Sequence, residues 1–146
     1  MQLSTILSLD CTKSAVQCSS KKRALELISE IAAPKIGQNP QDLFESLLSR
    51  EKMGSTGIGN GIALPHGRLQ DLDKVMAIVV TCEKPIDYDA IDNTPVDIFF
   101  AILVPEDKAS EHLGTLSAIA STLNNKDTLN RMRHAKTDRE LFEALN

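Results

Sequence analysis

Three histidines and one arginine hold the chemistry open to this chain of 146 residues. His66 sits in Pro65-His66-Gly67, at the end of a segment from 54 to 67 that holds five of the seven glycines. Glycine lets another molecule come close, and Pro65 fixes the backbone just before the imidazole. A histidine so placed, at the end of a short strand, is set to be exposed and to attack an electrophile through a ring nitrogen. The same tripeptide serves equally as a plain turn carrying a surface histidine. His112 falls in the first turn of a helix expected from about Ser110, where the macrodipole disfavours an imidazolium and favours an anion. A neutral His112 there either donates to a phosphate or carboxylate, or faces solvent as a capping residue. Arg50 lies between a helix and the glycine segment. It is either a solvated charge at a helix C-terminus or a guanidinium fork for a phosphoryl group near His66. His134, beside Arg131, Arg133 and Lys136 at a helix C-terminus, reads as structural or surface.

Glycine-rich segments often cradle nucleotide phosphates, but both common patterns fail here. Gly54 and Gly59 have P-loop spacing, yet Asn60-Gly61 stand where Lys and Ser/Thr are needed. Gly57-x-Gly59 and Gly59-x-Gly61 each need a third small residue, and the positions hold Ile62 and Leu64. Neither ATP nor NAD is expected, nor any other cofactor. The histidines lack zinc spacing, so no metal is expected. Cys11, Cys18 and Cys82 form no C-x-x-C pair, which argues against a disulfide framework and suits buried small hydrophobes in a reducing cytoplasm. Cys82 as the nucleophile of a hydrolase is a poor alternative, because it ends an apolar strand with nothing nearby to lower its pKa. With 16 basic and 20 acidic residues, a net charge of −4 and 3% aromatics, a nucleic-acid partner is not expected. No apolar run approaches the roughly 20 residues of a spanning helix, and no basic cluster followed by an apolar stretch opens the chain. Membrane insertion and secretion are therefore not expected.

The elements that must position these residues alternate between helical and strand patterns, with no linker or repeat. Thr12 to Val16 suits a short strand or an extended lead-in. Ser19 or Ser20 caps a helix with Ala24, Leu27, Ile28, Ile31 and Ala32 at helical spacing, ended by Gly37. Asn39-Pro40 opens a second helix with a stripe of Leu43, Phe44, Leu47 and Leu48, ending between Arg50 and Met53. Ile62 to Leu64 predicts a brief strand stopped by Pro65. Val75 to Cys82 and Val96 to Val104 are nearly continuous apolar runs and predict central strands covered on both faces. Residues 85 to 95 between them read as irregular, with Ile86 and Ile91 tucked against the body. Leu113, Leu116, Ile119, Ala120 and Leu123 share a helix face, Asp127 to His134 forms a short helix, and Thr137-x-x-Glu140 is a capping box for a last one. Helices on either side of buried strands predict one α/β domain over residues 1–146, a three-layer sandwich.

The string from Arg50 to Arg68, REKMGSTGIGNGIALPHGR, is long and specific. It resembles the active-site segment of enzyme IIA proteins of the bacterial phosphotransferase system, in the fructose–mannitol–nitrogen class, and within it most resembles the free-standing nitrogen-regulatory members. The likeness continues through Ser20 to Glu26, Asp89 to Asn93 and His112-Leu113-x-x-Leu116. It implies a mixed, roughly five-stranded sheet with helices on both faces. It also implies that His66 carries a phosphoryl group on its ε nitrogen, with His112 as the second active-site histidine and Arg50 neutralising the charge. The glycine loop (Gly57, Gly59, Gly61) would lend amides to the phosphate, with no cofactor or metal. The implied donor is a histidine-containing phosphocarrier protein. The implied role is regulation of partners in nitrogen and potassium metabolism, such as sensor kinases or potassium transporters, by phosphorylation state. The alternative is a fructose- or mannitol-type enzyme IIA that passes phosphate to a permease domain.

Overall fold

A computed structural model describes residues 3–107 and 113–145. Its centre is a pair of long antiparallel strands, β5 (Met76–Ile86) and β6 (Val96–Pro105). Both read as unbroken apolar runs because both faces are covered. Ile78, Val80, Phe99, Ala101 and Leu103 join one buried cluster, while Ala77, Val79, Ile98, Phe100 and Ile102 join the other. The two-residue alternation of a strand thus divides the core into two layers.

The first layer is closed by α1 (Lys21–Ile36) and α2 (Pro40–Lys52), which bring Leu25, Ile28, Leu43, Phe44 and Leu47 onto the sheet. Both start as their caps require. Ser20 Oγ accepts from the Arg23 amide at 3.1 Å, and Asn39 Oδ1 accepts from the Gln41 amide at 2.8 Å. Gly37, left-handed at φ 66°, ends α1. The second layer is built by α3 (Leu113–Leu123), α4 (Lys126–His134) and α5 (Asp138–Ala144), which contribute Ile119, Leu123, Leu129, Met132 and Leu141. Thr137 caps α5 as expected. The reciprocal bond of its capping box goes from the Lys136 amide to Glu140 rather than from that of Thr137.

The sheet is mixed and has six strands. β1 (Thr12–Val16) runs parallel to β5 on one edge. Beyond β6, β3 (Ile62–Ala63) and β4 (His66–Leu69) lie end to end along the same side, both parallel to β6. A short β2 (Gly57–Gly59) pairs antiparallel with β3. The α/β sandwich expected from the sequence is therefore present, with one strand more than the expected number. The residue pattern alone predicts neither β2, only three residues long, nor β4, where His-Gly-Arg-Leu has no strand periodicity. β4 forms because the Pro65 carbonyl still accepts from the Ile102 amide at 2.9 Å, which keeps the chain on β6 across a residue with no N–H of its own. β5 also runs to Ile86, past the expected end at Cys82, through a register shift that accommodates Pro85 near the sheet end.

Phe99 ties the fold to the site. Its ring is fully buried and meets Tyr88 edge-on, centroids 5.4 Å apart. Phe99→Ala is expected to cost about 3–5 kcal/mol in urea unfolding; a loss under about 1 kcal/mol would show that this ring does not anchor the first layer.

Candidate functional site

His66 opens β4, and its register opposite Ile102 of β6 fixes where the imidazole stands. The ring is partly buried. Its Nδ1 lies 2.9 Å from the Leu64 carbonyl, which can only accept, so Nδ1 carries the proton. Nε2 is left with its lone pair and accepts from Nε of Arg50 at 3.2 Å. Arg50 reaches it from the last turn of α2 and is braced by a second bond, Nη1 to the Gly54 carbonyl at 2.8 Å. A neutral ring of one tautomer, with a guanidinium at its free nitrogen, is what the geometry presents. The two residues singled out in the sequence are in direct contact. His112 lies outside the described residues. His134 is exposed at the end of α4, where Nδ1 donates to the Asn130 carbonyl at 2.7 Å, away from any such arrangement.

Under Arg50 lies a polar cluster that the sequence reading missed. Glu51, only 6% exposed, receives the Lys21 ammonium at 2.8 Å, the Thr56 amide at 3.0 Å, the Thr56 hydroxyl at 2.6 Å and the Tyr88 phenol at 3.1 Å. Burial acts to raise its pKa, but the bonds from Lys21 and Thr56 together outweigh it and hold the carboxyl below its usual range. The Tyr88 phenol is pushed up by burial and by the nearby Glu51 charge. Lys21 also stands over the Tyr88 ring, 4.6 Å from its centroid. One carboxylate thus joins α1, the end of α2, the start of the glycine segment and the residue-88 loop. Helical spacing held the signal: Glu51 follows Leu43 and Leu47 at four-residue steps on the buried face of α2.

The expected phosphate-binding glycines are packed closely. A Cβ on Gly57 would meet Ala90 Cβ at 2.7 Å, and one on Gly59 would meet the Asp92 carboxylate. Gly59, Asn60 and Gly61 all have positive φ (104°, 59° and 79°) and form the tip between β2 and β3. Asp92 binds this tip through the Asn60 amide at 3.1 Å, and Arg133 clamps it from α4 by bonding Asp97 and the Asn60 carbonyl. The backbone bonds from Thr94 and Asn60 hold the Asp92 carboxyl below its usual range. Ile91 is a correction. The sequence reading tucked it against the body, but its side chain is 82% exposed while its amide bonds the Gly57 carbonyl at 3.2 Å. With Met53 (82%) and Ile58 (41%) it makes up the large exposed hydrophobics among the described residues. Ile58 lies within the glycine stretch, Met53 precedes it directly, and Ile91 bonds it through its amide.

Residues 5–146 match the family described as phosphoenolpyruvate-dependent sugar phosphotransferase system, EIIA 2. The chain belongs to this enzyme IIA family. Among its relatives, the nitrogen regulatory protein of Klebsiella oxytoca is 53% identical over 146 residues, covering 99% of this chain and 90% of that protein. The crystal structure of nitrogen regulatory protein IIA-Ntr from Neisseria meningitidis superposes with a TM-score of 0.90 at 32% identity, covering 97% of each chain. IIA mannitol from Escherichia coli shares the fold, with a TM-score of 0.79 at 19% identity over 96% of this chain and 99% of that one. As an enzyme IIA the chain is a phosphotransferase component. Among its described residues no helix is long and apolar enough to cross a membrane.

Glu51→Gln keeps the shape and removes the charge, and is expected to destabilise the protein by about 1–3 kcal/mol at neutral pH. Because the native carboxyl titrates below its unfolded value of about 4.3, this contribution is complete above that pH and is lost as pH falls through the lowered native value. Urea unfolding of both proteins from pH 7 to pH 3 checks it. A gap between them that stays constant on acidification would mean that the charge of Glu51 does not stabilise the fold.

Proposed function

We propose that His66 accepts a phosphoryl group on Nε2 from a phosphohistidine on a histidine-containing phosphocarrier protein. The observation that carries this reading is the pairing of a free Nε2 with the Arg50 guanidinium, while Leu64 keeps the proton on the other nitrogen. In the step, the Nε2 lone pair forms the N–P bond as the N–P bond to the carrier's imidazole breaks, and the carrier nitrogen keeps the electron pair. Nitrogen replaces nitrogen, so the exchange is nearly balanced in energy, and the protein has to supply position and charge stabilisation. Arg50 swings from the lone pair to the equatorial oxygens, a fork suited to phosphoryl geometry. His112 is the second donor in this reading. No cofactor or metal takes part.

Gly57, Gly59 and Gly61 contribute a low rim with backbone amides, over which a partner carrying its own histidine can approach. Met53, Ile58 and Ile91 supply an apolar border for that docking. Similarity at 53% identity to a nitrogen regulatory protein favours a regulatory carrier over the fructose- or mannitol-type route to a permease domain. The phosphorylation state then controls cytoplasmic partners in nitrogen and potassium metabolism, such as sensor kinases or potassium transporters. Adding nearly two negative charges beside this apolar border alters which surfaces dock there.

Labelling from a phosphorylated carrier is expected to vanish in His66→Ala and to persist in His134→Ala; normal labelling of His66→Ala contradicts the assignment. Arg50→Ala is expected to slow transfer by ~10²–10³-fold, with Arg50→Lys between it and the native protein because charge remains without the fork. Equal rates in rapid-quench transfer assays would make Arg50 a surface charge.

A further inference from the structure

Gly67 follows His66 directly in β4 and has no positive φ, so its backbone is one that any residue could adopt. What the position lacks is room. A Cβ there would overlap Ser46 Oγ of α2, and would lie 3.3 Å from Ser46 Cβ and 3.4 Å from the Ser46 carbonyl carbon. Turning the hydroxyl aside does not relieve this. Ser46 Oγ donates to the Arg68 carbonyl at 3.0 Å, and the turn would break that bond while leaving Ser46 Cβ too near. The absent side chain is thus the gap in which α2 is seated, and the Ser46 bond closes the seat on the next strand residue.

We propose that Gly67 is a positioning residue for phosphoryl transfer: its missing side chain lets α2 lie against β4 at the distance from which Arg50 reaches Nε2 of His66. This rests on the transfer to His66 proposed above. The geometry is a matter of one helical turn and one strand step. Ser46 and Arg50 are four residues apart and so share a face of α2, while Gly67 and His66 are neighbours in β4. Gly67 meets the first of the two helix residues, and His66 accepts from the second, Arg50 Nε, at 3.2 Å. β4 resists displacement, because His66 to Leu69 are paired in register with Ile102 to Pro105 of β6. The helix is therefore the body that yields. Its end is held by Glu51 in the Lys21, Thr56 and Tyr88 cluster, so bulk beneath Ser46 tilts α2 about that anchor and swings Arg50 away from the lone pair. Gly67 acts through α2 and not on the phosphoryl group itself.

The test is a double-mutant cycle in rapid-quench transfer from a phosphorylated carrier to the full chain. Gly67→Ala is expected to slow transfer by ~10–10²-fold. In an Arg50→Ala background, where no guanidinium is left to misplace, the same change is expected to alter the rate by no more than about 2-fold. Ser46→Gly removes the opposing Oγ and Cβ, so Gly67→Ala combined with it is expected to recover to within about 2-fold of Ser46→Gly alone. In the ¹⁵N spectrum the Arg50 Nε–H signal is expected to shift in Gly67→Ala and to return in the pair. If Gly67→Ala does not fold, Ser46→Val crowds the same contact from the helix side, with the same Arg50-dependent slowing and the same signal shift expected. Native transfer by Gly67→Ala, equal slowing with and without Arg50 as a purely structural role would give, or an Arg50 signal that stays in place would each overturn the proposal. Normal labelling of His66→Ala would instead sink the transfer reading, and the Arg50 signal would still report whether Gly67 sets the Arg50–His66 contact.

Discussion

A single proton sets the chemistry of this site. The Leu64 carbonyl, two residues before His66, keeps hydrogen on Nδ1 and so leaves Nε2 as the one ring nitrogen with a lone pair to offer. That carbonyl is available because Pro65 breaks the strand between β3 and β4 while the Pro65 oxygen stays bonded to Ile102. The break lets the imidazole fold back over its own backbone, and the continued pairing to β6 keeps it from drifting. In the proposed transfer, a rigid ring of fixed tautomer with Nε2 facing a guanidinium costs little reorganisation when charge arrives.

The second constraint is the buried carboxylate next door. Arg50 and Glu51 are consecutive at the end of α2, so their side chains leave the helix in different directions. One points to His66 and the other into the Lys21, Thr56 and Tyr88 cluster. Burying Glu51 is tolerable because each oxygen is bonded and a cation is adjacent. The result is that the last turn of α2 cannot move without disturbing α1 and the start of the glycine segment. Arg50 is thereby aimed at His66 by the anchoring of its neighbour Glu51.

Much of this was legible in the chain. Caps at Ser20, Asn39 and Thr137, the two apolar strands, and Pro65-His66 each have local physical causes, and local causes can be read from local sequence. The pairing of Arg50 with His66 was suggested by resemblance, and their contact needed the register of β4 on β6. What stayed hidden depends on distant partners. Glu51 reads as a charge at a helix end until Lys21, Thr56 and Tyr88 converge on it from three other places. Ile91 reads as core, but the loop that bonds Gly57 through the Ile91 amide leaves its side chain outside. The structural reasons for the glycines were hidden too: Gly57 packs closely against Ala90, and the β2–β3 tip needs positive φ angles.

The most direct measurement of the proposed phosphoryl seat is a long-range proton–nitrogen spectrum of the ¹⁵N-labelled protein before and after phosphorylation by a phosphocarrier. The expected spectrum shows His66 protonated at Nδ1 in both states, with phosphorus bound to Nε2 in the second. Phosphorus on Nδ1, or a His66 ring unchanged while another residue takes the label, would contradict a nucleophile set by the Leu64 carbonyl.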